Sequence, residues 1–254
     1  MLIAITRQVS PAIGKCELTH LARQPIDVDV ARAQHRQYEA ALKSLGVEVH
    51  SLPAEADLPD SVFVEDIAIV VDEAAVITRP GADSRKPETE SIAQALAPYR
   101  KPFYIQAPGT LDGGDVLMVR KDIYVGLGSR SNQAAIEQMG AFLASFGYTF
   151  KDVKVTGCLH LKSAVTQVAA DTLLVNPAWV GKDNFPGMKF IEVDPSETYA
   201  ANAVLIGDVV IYPSSYPKTR QRLEEAGIHL VIVDASELAK AEGALTCCSL
   251  IFTA

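Results

Sequence analysis

The heptapeptide TCCSLIF at residues 246–252 places two thiols directly before a short apolar run near the C-terminus. The run predicts a strand over residues 250–252 that has no later strand as its partner. Its natural neighbour is the first apolar stretch of the chain, residues 2–7, which also predicts a strand. Because pairing of the last strand with the first closes the chain on itself, the heptapeptide predicts a ring with Cys247 and Cys248 at the junction.

The sequence between these two strands repeats one order of elements. A helix from Asp27 to Leu45 and a strand at 47–52 follow the first strand, and the order hairpin, helix, strand then recurs. The predicted hairpins are 62–71 with 75–78, 115–119 with 123–125, 163–168 with 172–175, and 203–206 with 209–212; the helices are 88–96, 132–146 and 218–226; the closing strands are 103–106, 151–155, 190–193 and 229–233. A less regular region from Trp179 leads to the strand at 190–193.

These units, about five in number, are each too small to bury their own apolar faces, and such repeats become stable by packing around an axis. We therefore predict a closed α/β ring. No linker or low-complexity segment interrupts the pattern, so residues 1–254 are predicted to form one domain. A doubly wound parallel sheet is the alternative, but it does not explain the recurring hairpins.

Composition narrows the classes of partner. A hydrophobic content of 48% is ordinary for a folded protein, and a net charge of -8 opposes binding to nucleic acid or to anionic membranes. No apolar stretch approaches the ~20 residues of a membrane helix, and the first residues lack the features of a signal peptide, so we expect a cytoplasmic protein. The four cysteines have no metal-binding spacing and are expected to stay thiols. A small cationic molecule is the favoured partner.

Polar residues open the first hairpin strand of each later unit. They are Glu65 with Asp66, Asp112, His160, Asn202 and Cys247. Because equivalent ends of equivalent strands meet at the axis of a ring, the pattern predicts that thiol, imidazole and carboxylates lie together. Neighbouring residues of a strand point to opposite faces, so only one of Cys247 and Cys248 is expected to face the axis.

These groups indicate an enzyme that forms a covalent intermediate with a cationic substrate. A thiol beside an imidazole makes a nucleophile, since the histidine stabilises the thiolate and later serves as a general acid. Several carboxylates beside a thiolate raise its pKa by like-charge repulsion, unless the substrate itself is positive. A guanidinium group fits, because carboxylates accept its planar N–H donors in pairs. Arg85 and Arg130 could then bind an α-carboxylate, and a guanidinium with an amino acid end describes arginine.

The sequence resembles the dimethylarginine dimethylaminohydrolase family over essentially its whole length. The resemblance is carried by Asp60 with Glu65-Asp66, by residues 77–81 followed by Ser84-Arg85, by 111–117, by Ser129-Arg130-Ser131-Asn132, by 159–163, by 200–202 and by 245–249. The family belongs to the guanidino-group-modifying (pentein) superfamily. The resemblance implies a five-bladed α/β-propeller that is a dimethylargininase.

The resemblance also implies roles for particular residues. Cys247 attacks the guanidinium carbon, while His160 protonates the departing amine and then activates water. Asp112 orients the histidine, at a position where some members of the family have Glu. The implied substrate-binding residues are Asp66 and Glu65 for the guanidinium, Asp60, Arg85 and Arg130 for the amino acid end, and the backbones of Leu18 and Ala241. No cofactor and no metal is implied, although zinc could inhibit by capturing Cys247 and His160.

Two other functions stay open from the sequence alone. One is another guanidino-modifying activity, such as an arginine deiminase or an amidinotransferase, because the residues that bind a guanidinium would be much the same. The other is a non-catalytic binding protein of the same fold. We also expect residues 10–19, which contain glycine and proline, to act as a lid, and a propeller of this kind could form a homodimer through an outer edge.

Overall fold

The computed structural model describes residues 1–254 as fifteen strands in five three-stranded sheets. The strands are β1 Leu2–Arg7, β2 Glu48–Leu52, β3 Ala68–Val70, β4 Ala75–Ile77, β5 Pro102–Tyr104, β6 Val116–Val119, β7 Asp122–Leu127, β8 Thr149–Lys154, β9 Val165–Ala169, β10 Thr172–Val175, β11 Lys189–Glu192, β12 Val204–Ile206, β13 Val209–Pro213, β14 His229–Val233 and β15 Leu250–Thr253. The α-helices are α1 Val28–Ser44, α2 Glu88–Leu96, α3 Gln133–Leu143, α4 Leu161–Ala164, α5 Pro217–Glu225 and α6 Ser236–Ala239. None of the helices is both long and apolar enough to cross a bilayer.

Every sheet has the same topology, an antiparallel hairpin with a third strand parallel to its second strand. The sheet that closes the ring is built from both ends of the chain. In it β15 runs antiparallel to β1, with Leu2 opposite Thr253 and Ile5 opposite Leu250, and β2 runs parallel to β1. The five-bladed propeller predicted from the sequence is confirmed, and the doubly wound alternative is wrong.

The apolar core is divided into five clusters that lie between neighbouring blades. In one of them Ile5 and Leu250 of the closing sheet contact Ile77 of the next blade and Leu96 of α2. In the following cluster Val76 joins residues of β6, β7 and α3. Since each blade buries its faces only against its neighbours, no blade is expected to be stable alone.

The outer helices begin and end where the sequence predicts, to within a few residues. The Asp27 side chain accepts hydrogen bonds from the backbone N–H groups of Asp29 and Val30 at the start of α1, and Gly46 follows its end with a φ of 81°. Asn132 likewise caps α3 by accepting from the N–H of Ala135. The fourth blade has no such helix, and a 3-10 turn at Lys182–Asn184 lies in its place.

Four of the five first strands, β3, β6, β9 and β12, start one to six residues later than predicted, whereas β15 starts at the predicted residue 250. Residues Val64–Ile67 before β3, Gly113–Asp115 before β6 and Thr246–Cys248 before β15 form 3-10 turns, and α4 precedes β9. Apolar periodicity missed these turns because the residues in them are buried just as the strand residues are. These turns and the residue directly before each of them carry five of the six polar side chains that the sequence analysis placed at the axis, and Asn202 is the sixth.

Candidate active site

The turns before the first strands converge on a cleft at one end of the ring. The cleft is lined by Glu17, Asp60, Phe63, Asp66, Arg85, Asp112, Arg130, Leu159, His160, Ala241, Glu242, Gly243 and Cys247. Eight of the ten site residues predicted from the sequence are among them. The two that do not line the cleft are Leu18 and Glu65.

His160 lies between two carboxylates. Its Nε2 is 3.1 Å from Asp112 Oδ2, and its Nδ1 is 3.7 Å from Asp66 Oδ1. Burial alone lowers the pKa of His160, but Asp66, the hydrogen bond with Asp112 and the nearby Asp115 outweigh it and raise the pKa to about 9. The imidazole is therefore protonated at neutral pH. Aspartate at position 112 is long enough to reach the ring.

The Cys247 thiol is buried at the wall of the cleft. Burial raises its pKa well above the ordinary value, and Asp66 and Glu65 raise it further. The resting side chain is thus a neutral thiol beside a protonated histidine. Cys248 is also buried but does not line the cleft, since its Sγ donates to the carbonyl oxygen of Ala244 at 3.4 Å.

Asp66 is fixed by partners at both of its oxygens. Oδ2 accepts from Arg85 Nη1 at 2.5 Å, and Oδ1 accepts from the backbone N–H of Gly114 at 3.0 Å. Burial would raise the pKa of Asp66, but His160 and Arg85 outweigh it and lower the pKa, so the group is a carboxylate. A cation that enters the cleft meets this charge at a fixed place.

Comparisons with known proteins identify the family. A family model described as N,N dimethylarginine dimethylhydrolase, eukaryotic, matches residues 20–183. A dimethylarginine dimethylaminohydrolase of Streptomyces coelicolor is 39% identical, covering 97% of this chain and 95% of the relative. The corresponding protein of Pseudomonas aeruginosa is 37% identical, covering 92% of each chain. The chain belongs to the dimethylarginine dimethylaminohydrolase family.

A solved structure of a family member has the same fold as this chain. The Pseudomonas aeruginosa dimethylarginine dimethylaminohydrolase, as a cysteine-to-serine variant complexed with citrulline, superposes with a TM-score of 0.94 at 35% identity, covering 98% of each chain. The family resemblance found in the sequence is confirmed.

Glu65 lies next to Asp66 in the sequence but binds away from the cleft. Lys162 Nζ donates to its Oε1 at 2.5 Å, and Thr246 Oγ1 donates to its Oε2 at 2.7 Å. Glu65 therefore ties together the turns of three blades. The expectation that it lies beside Asp66 in the cleft differs from the structure, because successive residues of the 3-10 turn point in different directions.

Leu18 packs against the apolar cluster that contains Cys248, whereas its neighbour Glu17 lines the cleft. The Glu17 backbone N–H donates to both oxygens of Asp60, at 3.3 and 3.1 Å, and Arg130 Nη2 donates to Thr19 Oγ1 at 3.1 Å. Segment 17–21 is thus attached to two residues that the sequence assigns to the amino acid end of the substrate.

Sequence reasoning missed Glu242, which lies in the loop before the nucleophile. Its carboxylate accepts from three successive backbone N–H groups, those of Thr19, His20 and Leu21, at 2.5–3.1 Å. Its own φ is +56°, an uncommon conformation for a residue with a side chain. Such residues are a signal of function that only coordinates reveal.

Glu242→Ala is expected to loosen segment 17–21. Hydrogen bonds to a charged group contribute about 1.5–3 kcal/mol, so amide hydrogen exchange of residues 19–21 should accelerate by roughly tenfold or more. Glu242→Gly removes the carboxylate and also permits the positive φ, and it should give the same acceleration. Unchanged exchange in both variants would show that the carboxylate does not hold the segment.

Gly114 leaves the space in which His160 and Asp66 approach each other. A Cβ at this residue would lie 2.5 Å from His160 Nδ1 and 2.8 Å from Asp66 Oδ1. Gly114→Ala should therefore displace both groups and lower kcat by about 10²-fold, with the fold retained in circular dichroism. Gly140→Ala in α3 is the control, because its nearest neighbour is Phe150 at 3.8 Å. Equal activity of the two variants would contradict this geometry.

Proposed function

We propose that this chain hydrolyses Nω,Nω-dimethyl-L-arginine and Nω-methyl-L-arginine to L-citrulline and dimethylamine or methylamine, through a covalent intermediate on Cys247. The observation that carries the proposal is that Cys247 and His160 line one cleft together with Asp60, Asp66 and Asp112. The citrulline complex of the Pseudomonas aeruginosa relative supports the product.

The charges of the cleft match a methylated arginine. Asp66, already held by Arg85 and Gly114, accepts N–H donors from the guanidinium. Arg130 binds the α-carboxylate, helped by Arg85. The backbones of Ala241 and Leu18 are assigned to the amino acid end as in the family; Ala241 lines the cleft, and Leu18 follows Glu17, which also lines it.

The substrate itself activates the nucleophile. At rest the acids around Cys247 oppose its ionisation, and a bound guanidinium compensates their charge and lowers the pKa of the thiol. The thiol then loses its proton to water, and the thiolate sits beside a cationic substrate and a cationic His160. Binding of the correct substrate is thereby linked to formation of the reactive species.

The chemistry then proceeds in two halves. The thiolate attacks the guanidinium carbon, His160 gives its proton to the nitrogen of the departing amine, and the C–N bond breaks to leave a thiouronium adduct. The now neutral His160 takes a proton from a water molecule that attacks the same carbon. The C–S bond breaks, which releases citrulline and restores the Cys247 sulfur. Asp112 holds the ring during both transfers.

The methyl groups of the substrate have an apolar wall to contact. Phe63, Leu159 and Gly243 line the cleft, and a Cβ at Gly243 would lie 2.1 Å from Phe63 Cε1. The bare backbone at Gly243 therefore lets the ring lie against it. This wall favours methylated nitrogens over the unsubstituted guanidinium and so argues for the hydrolase over an arginine deiminase.

A turnover panel of arginine, monomethylarginine and asymmetric dimethylarginine tests the proposed function. Because one methyl group in an apolar pocket changes specificity by about 10- to 200-fold, kcat/KM should be at least tenfold higher for the methylated substrates. Citrulline and the released amine are both measured. Release of ammonia from arginine at the higher rate would instead support a deiminase, and no turnover of any substrate would support a binding protein.

Cytoplasmic location and homodimer formation stay predictions from the sequence. The reaction as proposed uses only side chains and water, so added chelator should leave turnover unchanged. The single domain over residues 1–254 is likewise proposed from the closing sheet, in which β1 and β15 belong to one blade.

A further inference from the structure

Glu88 does not line the cleft, but it binds Arg85, which does. Glu88 is the first residue of α2, and its side chain is buried, as is that of Arg85, which ends the 3-10 turn Asp83–Arg85 just before the helix. Arg85 Nε donates to Glu88 Oε1 at 3.2 Å, and Arg85 Nη2 donates to Oε2 at 2.9 Å. This is a two-point contact, which fixes both the position and the plane of the guanidinium.

The fixed guanidinium of Arg85 also donates hydrogen bonds to residues of the cleft and its surroundings. Nη2 also donates to the carbonyl oxygens of Phe63 at 3.0 Å and Asp60 at 3.2 Å. Nη1 donates to Asp66 at 2.5 Å, and its second N–H has no protein acceptor. Arg85 therefore binds Asp66 through Nη1, while its Nε and Nη2 are bound by Glu88.

The charges of this group do not cancel. Burial raises the pKa of Glu88 to about 7 although Arg85 opposes the shift, so Glu88 is ionised above that pH. Arg85 then carries one positive charge, whereas Asp66 and Glu88 carry two negative charges between them, so the three together carry one negative charge. The nearby Arg7 leaves that sum unchanged, because it is paired with Glu55 at 3.0 Å. If Asp66 were the only partner of Arg85, the pair would be neutral and would attract a cation much less.

We propose that Glu88 is a positioning residue that prevents Arg85 from neutralising Asp66, and so sets the affinity of the cleft for a cationic head group. The inference rests on the proposed function, since it assigns the cation to the guanidinium of the substrate. Glu88 does not touch the substrate and acts only through Arg85. The spacing of three residues between Arg85 and Glu88 is common in helices and gives no sequence signal of such a role.

Two ligands that differ in head-group charge separate this role from a merely structural one. Dimethylarginine is cationic at its head, whereas citrulline is neutral there and has the same amino acid end. Binding of both is measured by calorimetry at about pH 8, above the pKa of Glu88, in a Cys247→Ser background, which does not turn over substrate. A charge effect acts on the first ligand only, while a loosened fold weakens both.

Glu88→Gln keeps the shape of the side chain and removes its charge. It should weaken dimethylarginine binding by about tenfold or more, since removal of one buried charge near a cation has a large effect at low effective dielectric. Citrulline binding should change by less than about threefold, because its head group is neutral and the lost charge does not act on it. Glu90→Gln, at an exposed position of the same helix, makes the same change in net charge and should leave both affinities unaltered.

Glu88→Asp keeps the charge and alters the shape. It should retain dimethylarginine affinity within about threefold of the parent if charge is what matters. Equal weakening of both ligands in Glu88→Gln or in Glu88→Asp would overturn the proposal, as would unchanged dimethylarginine binding in Glu88→Gln. If the Cys247→Ser protein bound both ligands but the protein with Cys247 intact turned over neither methylated substrate, the proposed function would fail while the role of Glu88 could still be judged from these affinities.

Discussion

Cys247→Ser is expected to lower citrulline formation by about 10⁴-fold or more, because a neutral hydroxyl cannot replace the thiolate as nucleophile. Cys247 lines the cleft, and Asp66, which opposes its ionisation, lines the same cleft and is in place to receive the cationic substrate. The measurement is citrulline formed from asymmetric dimethylarginine under saturating conditions.

Cys248→Ser is the matched control, one residue along the chain. Its Sγ donates to the Ala244 carbonyl oxygen and lies in an apolar cluster, so a serine there should retain most of kcat and lose a modest amount of stability. Equal loss of turnover in the two variants would refute the assignment of Cys247 as the nucleophile.

His160→Gly is expected to give the second large effect. General acid–base catalysis contributes about 10²–10⁴-fold, and His160 is needed both to protonate the amine and to activate water. Turnover should therefore fall by at least the upper end of that range. The variant should bind dimethylarginine, because Asp66 keeps its bonds to Arg85 and Gly114. Loss of binding together with turnover would mean that His160 organises the cleft rather than transfers protons.

The pH dependence of the wild-type protein follows from the same residue. His160 must be protonated for departure of the amine, and its pKa is raised to about 9 by Asp66 and Asp112 in spite of burial. The kcat should thus be constant through neutral pH and decrease as the pH rises through about 9. In Asp112→Asn this decrease should begin at a lower pH, because one of the two flanking charges is removed.

The sequence predicted the centre of the cleft because the chain repeats. Asp66, Asp112, His160 and Cys247 each stand before the first strand of a blade, and closure of β15 onto β1 brings these positions to one axis. The family resemblance added Arg85, Arg130 and Asp60, which repetition alone does not single out. The structure brings all seven to one cleft.

Other features depended on geometry that one-dimensional patterns do not carry. The direction of Glu65 is set by a 3-10 turn where alternation predicted a strand, so its carboxylate meets Lys162. The bonds of Glu242 join residues about 220 positions apart, which neither periodicity nor spacing can indicate. Glu88 is buried on a helix whose pattern gives no reason to expect a charge inside.

The most direct test of the account is the mass of the Cys247 peptide after acid quenching of the protein during turnover of asymmetric dimethylarginine. We expect an adduct with the mass of the substrate less the departed dimethylamine, located on Cys247. An unmodified Cys247 during active turnover, or an adduct on Cys248, would contradict the account.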